Sequence, residues 1–210
     1  MANSHEFDLW ADSYDSSVKS ADEEDRYPFA GYGRIINAVY ETVMARAPAK
    51  ILDIGFGTAV LTSRLYDVGN NITGIDFSTE MLDMAKGKMP EADLLRWDFT
   101  QGIPTALANE KFDFIISTYA LHHLEDDEKI KMIADLLDLL NPTGAILIGD
   151  ICFLTREDLL ACKTACGDLW DDSESYFVPA EIKDALKEIC RLSYRPISFC
   201  SGLIEIKKGI

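Results

Sequence analysis

From Ile51 onward, short apolar runs alternate with longer stretches that are apolar at helical spacing. Ile51-Leu52-Asp53-Ile54, Ile72 to Asp76, Leu94 to Trp97, Phe112 to Ser117 and Ala145 to Gly149 predict five strands. The fifth is apolar throughout, the pattern of a strand covered on both faces. A helix is predicted from near Pro28 through Ile35, Ile36, Val39, Tyr40 and Val43, ending at Pro48. A second spans Ala59 to Val68 and stops at Gly69, and Ser78 caps a third that Pro90 closes. Asp126 is the expected cap of a fourth, whose stripe of Ile130, Ile133, Leu137 and Leu140 ends at Asn141-Pro142. Thr155 with Asp158 opens another helix, Pro179 to Cys190 makes one more, and Leu192–Phe199 with Leu203–Lys207 reads as a hairpin around Ser201-Gly202.

Strands alternating with helices predict right-handed βαβ units and a mostly parallel sheet. The expected fold is therefore α/β: a doubly wound, seven-stranded sheet with helices on both faces and a C-terminal antiparallel hairpin strand. No repeat, linker or low-complexity stretch divides the chain, so residues 1–210 are expected to form one domain. Residues 1–26 are polar and acidic but carry Phe7, Leu9, Trp10 and Tyr14, the marks of an arm that packs back over something.

Composition narrows the function. Hydrophobic residues make up 48% and charged residues 27%, ordinary globular usage. No apolar run reaches the roughly 18 to 20 residues of a membrane span, and Met1 to Glu6 shows no secretory pattern, so a soluble cytoplasmic protein is expected. The net charge of −16 repels phosphate backbones and argues against nucleic acid as a partner. Acidic runs such as Asp22–Asp25, Glu125–Glu128 and Asp171-Asp172 read as solvated surface. Five cysteines at irregular spacing form no Cys-x-x-Cys pair, so neither a zinc site nor a disulfide frame is expected and no metal is assigned.

The chemistry begins at Gly55-x-Gly57, which follows the first strand and precedes a helix. Glycines there let a ligand approach the backbone, and amides at the helix start receive a carboxylate or phosphate. Asp76 ends the second strand about 20 residues on, placed to accept both hydroxyls of a ribose. This pair alone also suits a nicotinamide dinucleotide, but Val60 stands where that fingerprint wants a small residue.

Asp53-Ile54-Gly55-Phe56-Gly57-Thr58-Ala59 resembles the first motif of class I, Rossmann-like S-adenosylmethionine-dependent methyltransferases, with Ala59 where a third glycine is usual. Gly-Ile-Asp76-Phe-Ser is similar to their second motif, and Trp97-Asp98-Phe99 to their third. Ser117 to Leu124, with His122 and His123, resembles the segment after strand four in the small-molecule branch. Asn141-Pro142-x-Gly144 resembles the turn before strand five, and Phe7-Asp-x-Trp10 to Tyr14-Asp15 the aromatic lead-in. The match runs collinearly over about residues 7 to 150.

The resemblance implies S-adenosylmethionine as cofactor and S-adenosylhomocysteine as product. It places Gly55 and Gly57 against the methionine portion, with Asp53 orienting the loop or reaching the amino group through water. It assigns Asp76 to the ribose, Phe77 to a place beside the adenine, Asp98 to the adenine amino group, the Phe99 amide to the adenine ring and the Ser117 carbonyl to the methionine ammonium. Tyr14, with Trp10, would close over the cofactor.

A sulfonium is already an activated methyl donor, so alignment of the acceptor supplies much of the rate, and a base is needed only where the acceptor carries a proton. His122 and His123, at the sheet's carboxyl end, are the candidate catalytic residues, with Tyr14 and Asp150 as weaker ones. Consecutive residues diverge on a turn, so at most one histidine is expected to face the acceptor. The arm and residues 150–179, with Trp170, Tyr176 and Phe177 as lining or core, are the expected lid and acceptor pocket. A small-molecule acceptor, no nucleic-acid or membrane partner, and a monomer or homodimer complete the expectation. Two rival readings are a non-catalytic S-adenosylmethionine-binding scaffold and an NAD-dependent dehydrogenase.

Overall fold

The computed structural model describes residues 18–209, and within them the predicted alternation is present. Strands β1 (Lys50–Ile54), β2 (Asn71–Asp76), β3 (Asp93–Arg96), β4 (Phe112–Thr118), β5 (Leu140–Ile151), β6 (Cys190–Pro196) and β7 (Ser201–Lys208) form one sheet in the order β3-β2-β1-β4-β5-β7-β6. The first five run parallel. Strand β7 inserts antiparallel between β5 and β6. The helices used below are α1 (Tyr32–Met44), α2 (Val60–Asp67), α3 (Thr79–Lys88), α4 (Asp126–Asp138), α5 (Arg156–Cys166) and α6 (Pro179–Leu186).

Alternation along each strand sorts its side chains between two core layers. Leu52, Ile54, Ile146 and Ile148 pack with Met132, Ile133 and Leu136 of α4 and Ile182 of α6. Ile51, Phe114, Ile116 and Leu147 pack with Ile36 and Val39 of α1, Leu61 and Leu65 of α2, and Met81 of α3. Both faces are thus covered, which is why the central strands are apolar without a polar side. A third, aromatic cluster gathers Tyr27, Tyr119, Phe153 and Tyr176 with Leu159 of α5.

The sheet order reverses direction between β1 and β4, because β1 leads to β2 on one side while β4 leads to β5 on the other. In such sheets the crevice at the strands' carboxyl ends, at this switch point, is where ligands bind. The Gly55 turn and the segment after Thr118 both lie there.

Several boundaries differ from the sequence expectation for local reasons. Helix α1 starts at Tyr32 rather than near Pro28, because Gly31 takes a left-handed φ of 81° that interrupts any helix begun earlier. Glu125, not Asp126, is the N-cap of α4, in a reciprocal capping box with Glu128. Helix α6 ends at Leu186, and Cys190 opens β6 instead. Asn141-Pro142-x-Gly144 forms an irregular stretch inside β5, where the register shifts between Phe112 and Phe114. Asn141 Nδ2 donates to Asp113 Oδ1 there at 2.8 Å, and Pro142 is exposed where no ladder donor is required. Among the described residues, no helix is long and apolar enough to cross a membrane.

Candidate active site

The turn after β1 is built from left-handed backbone: φ is 70° at Gly55, 52° at Gly57 and 59° at Ala59. The Gly55 amide donates to the Ile75 carbonyl at 2.8 Å, so the turn is pinned to β2. A Cβ at Gly55 would stand 2.6 Å from the Ala120 Cβ, so the turn presses against the segment after β4 and only glycine fits. At Gly57 a Cβ would meet nothing within 4 Å among the described residues, because that position faces the cleft. Asp76 braces the turn: its Oδ2 accepts from the Gly57 amide and its Oδ1 from the Ser78 amide, each at 2.9 Å. Ser78 Oγ in turn caps α3 by accepting from the Met81 amide.

The cleft so formed is lined by Gly55, Gly57, Asp76, Phe77 and Phe99 of the sequence-predicted set, and by His123. Three other predicted residues are not among those that line it. Asp53 is buried, with Oδ2 accepting from Thr62 Oγ1 on α2 while Oδ1 has no hydrogen-bond partner among the described residues. Burial is the main reason its carboxyl is pushed up to about 7, against the opposing Thr62 hydrogen bond. Asp98 caps the turn Phe99–Gln101, its Oδ1 accepting from the Thr100 amide at 3.0 Å and hydroxyl at 2.7 Å. Ser117 Oγ donates to the Ile54 carbonyl at 2.9 Å, tying β4 to β1, and the cleft wall beyond it is Thr118, Tyr119 and Ala120. Tyr14 and Trp10 lie outside the described residues.

At the opposite end the two histidines do not diverge as consecutive positions on a turn are expected to: their ring centroids are 4.3 Å apart and both approach Glu174. His122 turns inward, 5% exposed, and its Nδ1 lies 2.7 Å from Oδ1 of the fully buried Asp150. Its Nε2 lies 3.4 Å from Glu174 Oε1. His123 faces the cleft, with Nδ1 3.8 Å from the same Glu174 oxygen. Burial works against the charged form of His122, but the two flanking carboxylates override it and hold the imidazole up to about 10. Glu174 is partly buried, yet His122 and a 2.8 Å hydrogen bond from Tyr176 Oη hold its carboxyl down to about 2. His123 is held down to about 4, by burial and then by the charge on His122, so its imidazole is neutral at physiological pH.

Two residues that sequence reasoning missed hold this end together. Glu174 lies two residues beyond Asp171-Asp172, the acidic run read as solvated surface. Lys129, a fully buried lysine of α4, donates to Asp126 Oδ1 at 3.0 Å and to the Ser175 carbonyl and hydroxyl at 2.6 and 2.9 Å. The Ser175 amide donates back to the His122 carbonyl at 2.9 Å, so Lys129 clamps the Glu174 segment beside the histidines. Of the residues expected to line an acceptor pocket, Tyr176 and Phe177 are buried core, and Trp170 stacks on Tyr27 with ring centroids 5.4 Å apart.

This sheet, with a glycine turn at its switch point answered by an acid ending the next strand, has the arrangement expected of a Rossmann-like, S-adenosylmethionine-dependent methyltransferase. Known proteins agree. A family model described as a methyltransferase domain matches residues 51–144. A protein named as an uncharacterized methyltransferase from Oceanobacillus iheyensis is 36% identical over 210 residues, covering 96% of this chain and 95% of that one. A second so named, from Geobacillus kaustophilus, is 41% identical over 152 residues, covering 72% of this chain and 67% of its own. The chain belongs to this methyltransferase family.

Solved structures share the fold at low identity. The DhpI–SAH complex superposes with a TM-score of 0.69 at 16% identity, covering 98% of this chain and 95% of that one. The SAH-bound magnesium protoporphyrin IX methyltransferase of Synechocystis gives 0.67 at 20% identity, covering 86% and 85%. The residues here suit the same class of cofactor. Gly57 leaves open space at the backbone, Asp76 carries acceptors for hydroxyls, and Phe77 and Phe99 offer aromatic surface for a base.

Proposed function

We propose that this chain transfers a methyl group from S-adenosylmethionine to a small-molecule acceptor. The observation that carries the reading is the two-ended cleft at the switch point: Asp76 and the glycine turn at one end, His123 at the other. When bound, S-adenosylmethionine supplies an activated methyl on its sulfonium. Asp76 accepts from the ribose hydroxyls, Phe77 and Phe99 flank the adenine, and the Gly55–Gly57 backbone lies against the methionine portion. His123, neutral, accepts a hydrogen bond from the acceptor and orients it in line. His122 stays behind it, held between Asp150 and Glu174, so the site works chiefly by position.

The acceptor class rests on charge and enclosure. A net charge of −16 disfavours a polyanion, and the aromatic cluster of Tyr27, Tyr119, Trp170 and Tyr176 flanks the histidine end. The reading includes one domain over residues 1–210, with its N-terminal arm as lid, acting in the cytoplasm as a monomer or homodimer. The test is transfer of isotope-labelled methyl from S-adenosylmethionine into a metabolite pool, a protein fraction and an RNA fraction. Label in the small-molecule pool is expected. Label in protein or RNA alone would overturn the acceptor class, and tight S-adenosylhomocysteine binding without any transfer would favour a regulatory scaffold.

A further inference from the structure

His122, His123 and Glu174 present three ligand atoms within 4.8 Å of one another, drawn from two segments about 50 residues apart. Glu174 Oε1 is the shared point, 3.4 Å from His122 Nε2 and 3.8 Å from His123 Nδ1. Bonds of about 2.0–2.2 Å at tetrahedral angles put neighbouring ligand atoms roughly 3.3 Å apart, so small side-chain rotations bring the trio onto one ion. We propose that these three residues form a binding site for a divalent transition metal, with zinc the best match to two imidazoles and one carboxylate.

Three further observations point the same way. Metal-bound histidines commonly donate their other ring nitrogen to a carboxylate, and His122 Nδ1 sits 2.7 Å from Asp150 Oδ1. Asp150 Oδ1 is itself fixed by the Ile151 amide at 2.7 Å. Glu174 is oriented in the same manner, since Tyr176 Oη holds Oε2 at 2.8 Å and leaves Oε1 directed at the imidazoles. Charge is the third. Asp150 is fully buried and Glu174 is partly so; against these two carboxylates the proton on His122 leaves one negative charge unbalanced, which a dication taking that proton's place removes. Three protein ligands leave a fourth position open, the arrangement of catalytic rather than structural zinc sites. His123 lines the cofactor cleft, so an ion here adjoins the cleft. An acceptor oxygen or sulfur is the class of ligand that position takes, a role that rests on the proposed methyl transfer, whereas the binding site does not.

Chelator-stripped protein titrated with Zn(II) and with Co(II), read by calorimetry and by visible absorption of cobalt, tests the assignment. One ion per chain is expected, with a tetrahedral or five-coordinate cobalt spectrum. Glu174→Gln should weaken uptake at least tenfold and Asp150→Asn by about 10- to 100-fold. Cys162 and Cys166, whose sulfurs lie 3.7 Å apart, are the competing soft site. A Cys162→Ser/Cys166→Ser variant should therefore bind as the parent does. S-adenosylhomocysteine titration of each variant checks the fold independently and reports on the methyltransferase reading by itself. Absence of stoichiometric uptake, uptake unchanged by Glu174→Gln, or uptake lost with the two cysteines would overturn the proposal.

Discussion

Gly57 and Asp76 are 19 residues apart and meet through one βαβ unit. His122 and Asp150 are 28 apart, and the clamp on the Glu174 segment reaches 46 residues, from Lys129 to Ser175. The first end of the cleft is made of backbone: left-handed glycines, amides and one carboxylate that receives them. The second is made of ionisable side chains whose charges depend on one another. A backbone site is written in consecutive residues, so it reads as a motif. A side-chain site is assembled by packing, and its members carry no spacing that links them.

The largest expected effect lies at the side-chain end. Replacing His122 by Leu strands the fully buried Asp150, and breaking a buried pair in this way costs about 3–5 kcal/mol. Chemical denaturation should show that loss; a change under 1 kcal/mol would mean that Asp150 finds water or another donor. At the backbone end, Gly55→Ala introduces a methyl 2.6 Å from Ala120 in a left-handed conformation. About 3 kcal/mol of destabilisation is expected, with S-adenosylhomocysteine binding weakened alongside it. A near-neutral result would show that the two loops yield freely.

Asp53 gives a pH signature to the backbone end. Its folded value near 7 lies above the ordinary carboxylate value, so the folded state keeps a proton that the unfolded state releases. Stability of the cofactor-free protein should thus fall as pH rises from about 4 to 7, by up to about 1.4 kcal/mol per unit, and level off above. Asp53→Asn should flatten that slope; an unchanged slope would assign it to other groups. The smallest effect is at Ala59, which holds φ at 59° where glycine is at ease. Ala59→Gly should raise stability by about 1 kcal/mol, visible as a higher Tm.

Ala59 also shows what the sequence could and could not tell. Its departure from the glycine pattern was visible, but its left-handed backbone was not, since it lies at the N-cap of α2 rather than within the helix. The strands, their order of appearance and the terminal hairpin were legible because burial on two faces imposes apolar runs. Gly55, Gly57 and Asp76 were legible because one turn and one strand end fix them. The side-chain bonds of Asp98 and Ser117, a turn cap and a strand tie, were not legible, since no motif displays them. Glu174 and Lys129 stayed hidden. An acid beside Asp171-Asp172 and a lysine on a charged helix look solvated until tertiary packing buries the lysine and partly covers the acid.

A division of labour across the cleft gives cofactor binding to the Asp76 end and acceptor positioning to the His123 end. Isothermal titration of S-adenosylhomocysteine into the parent protein, Asp76→Ala and His123→Ala tests it most directly. One site per chain is predicted, weakened at least tenfold by Asp76→Ala and changed less than threefold by His123→Ala. Equal losses in both variants, or no loss at Asp76, would contradict it.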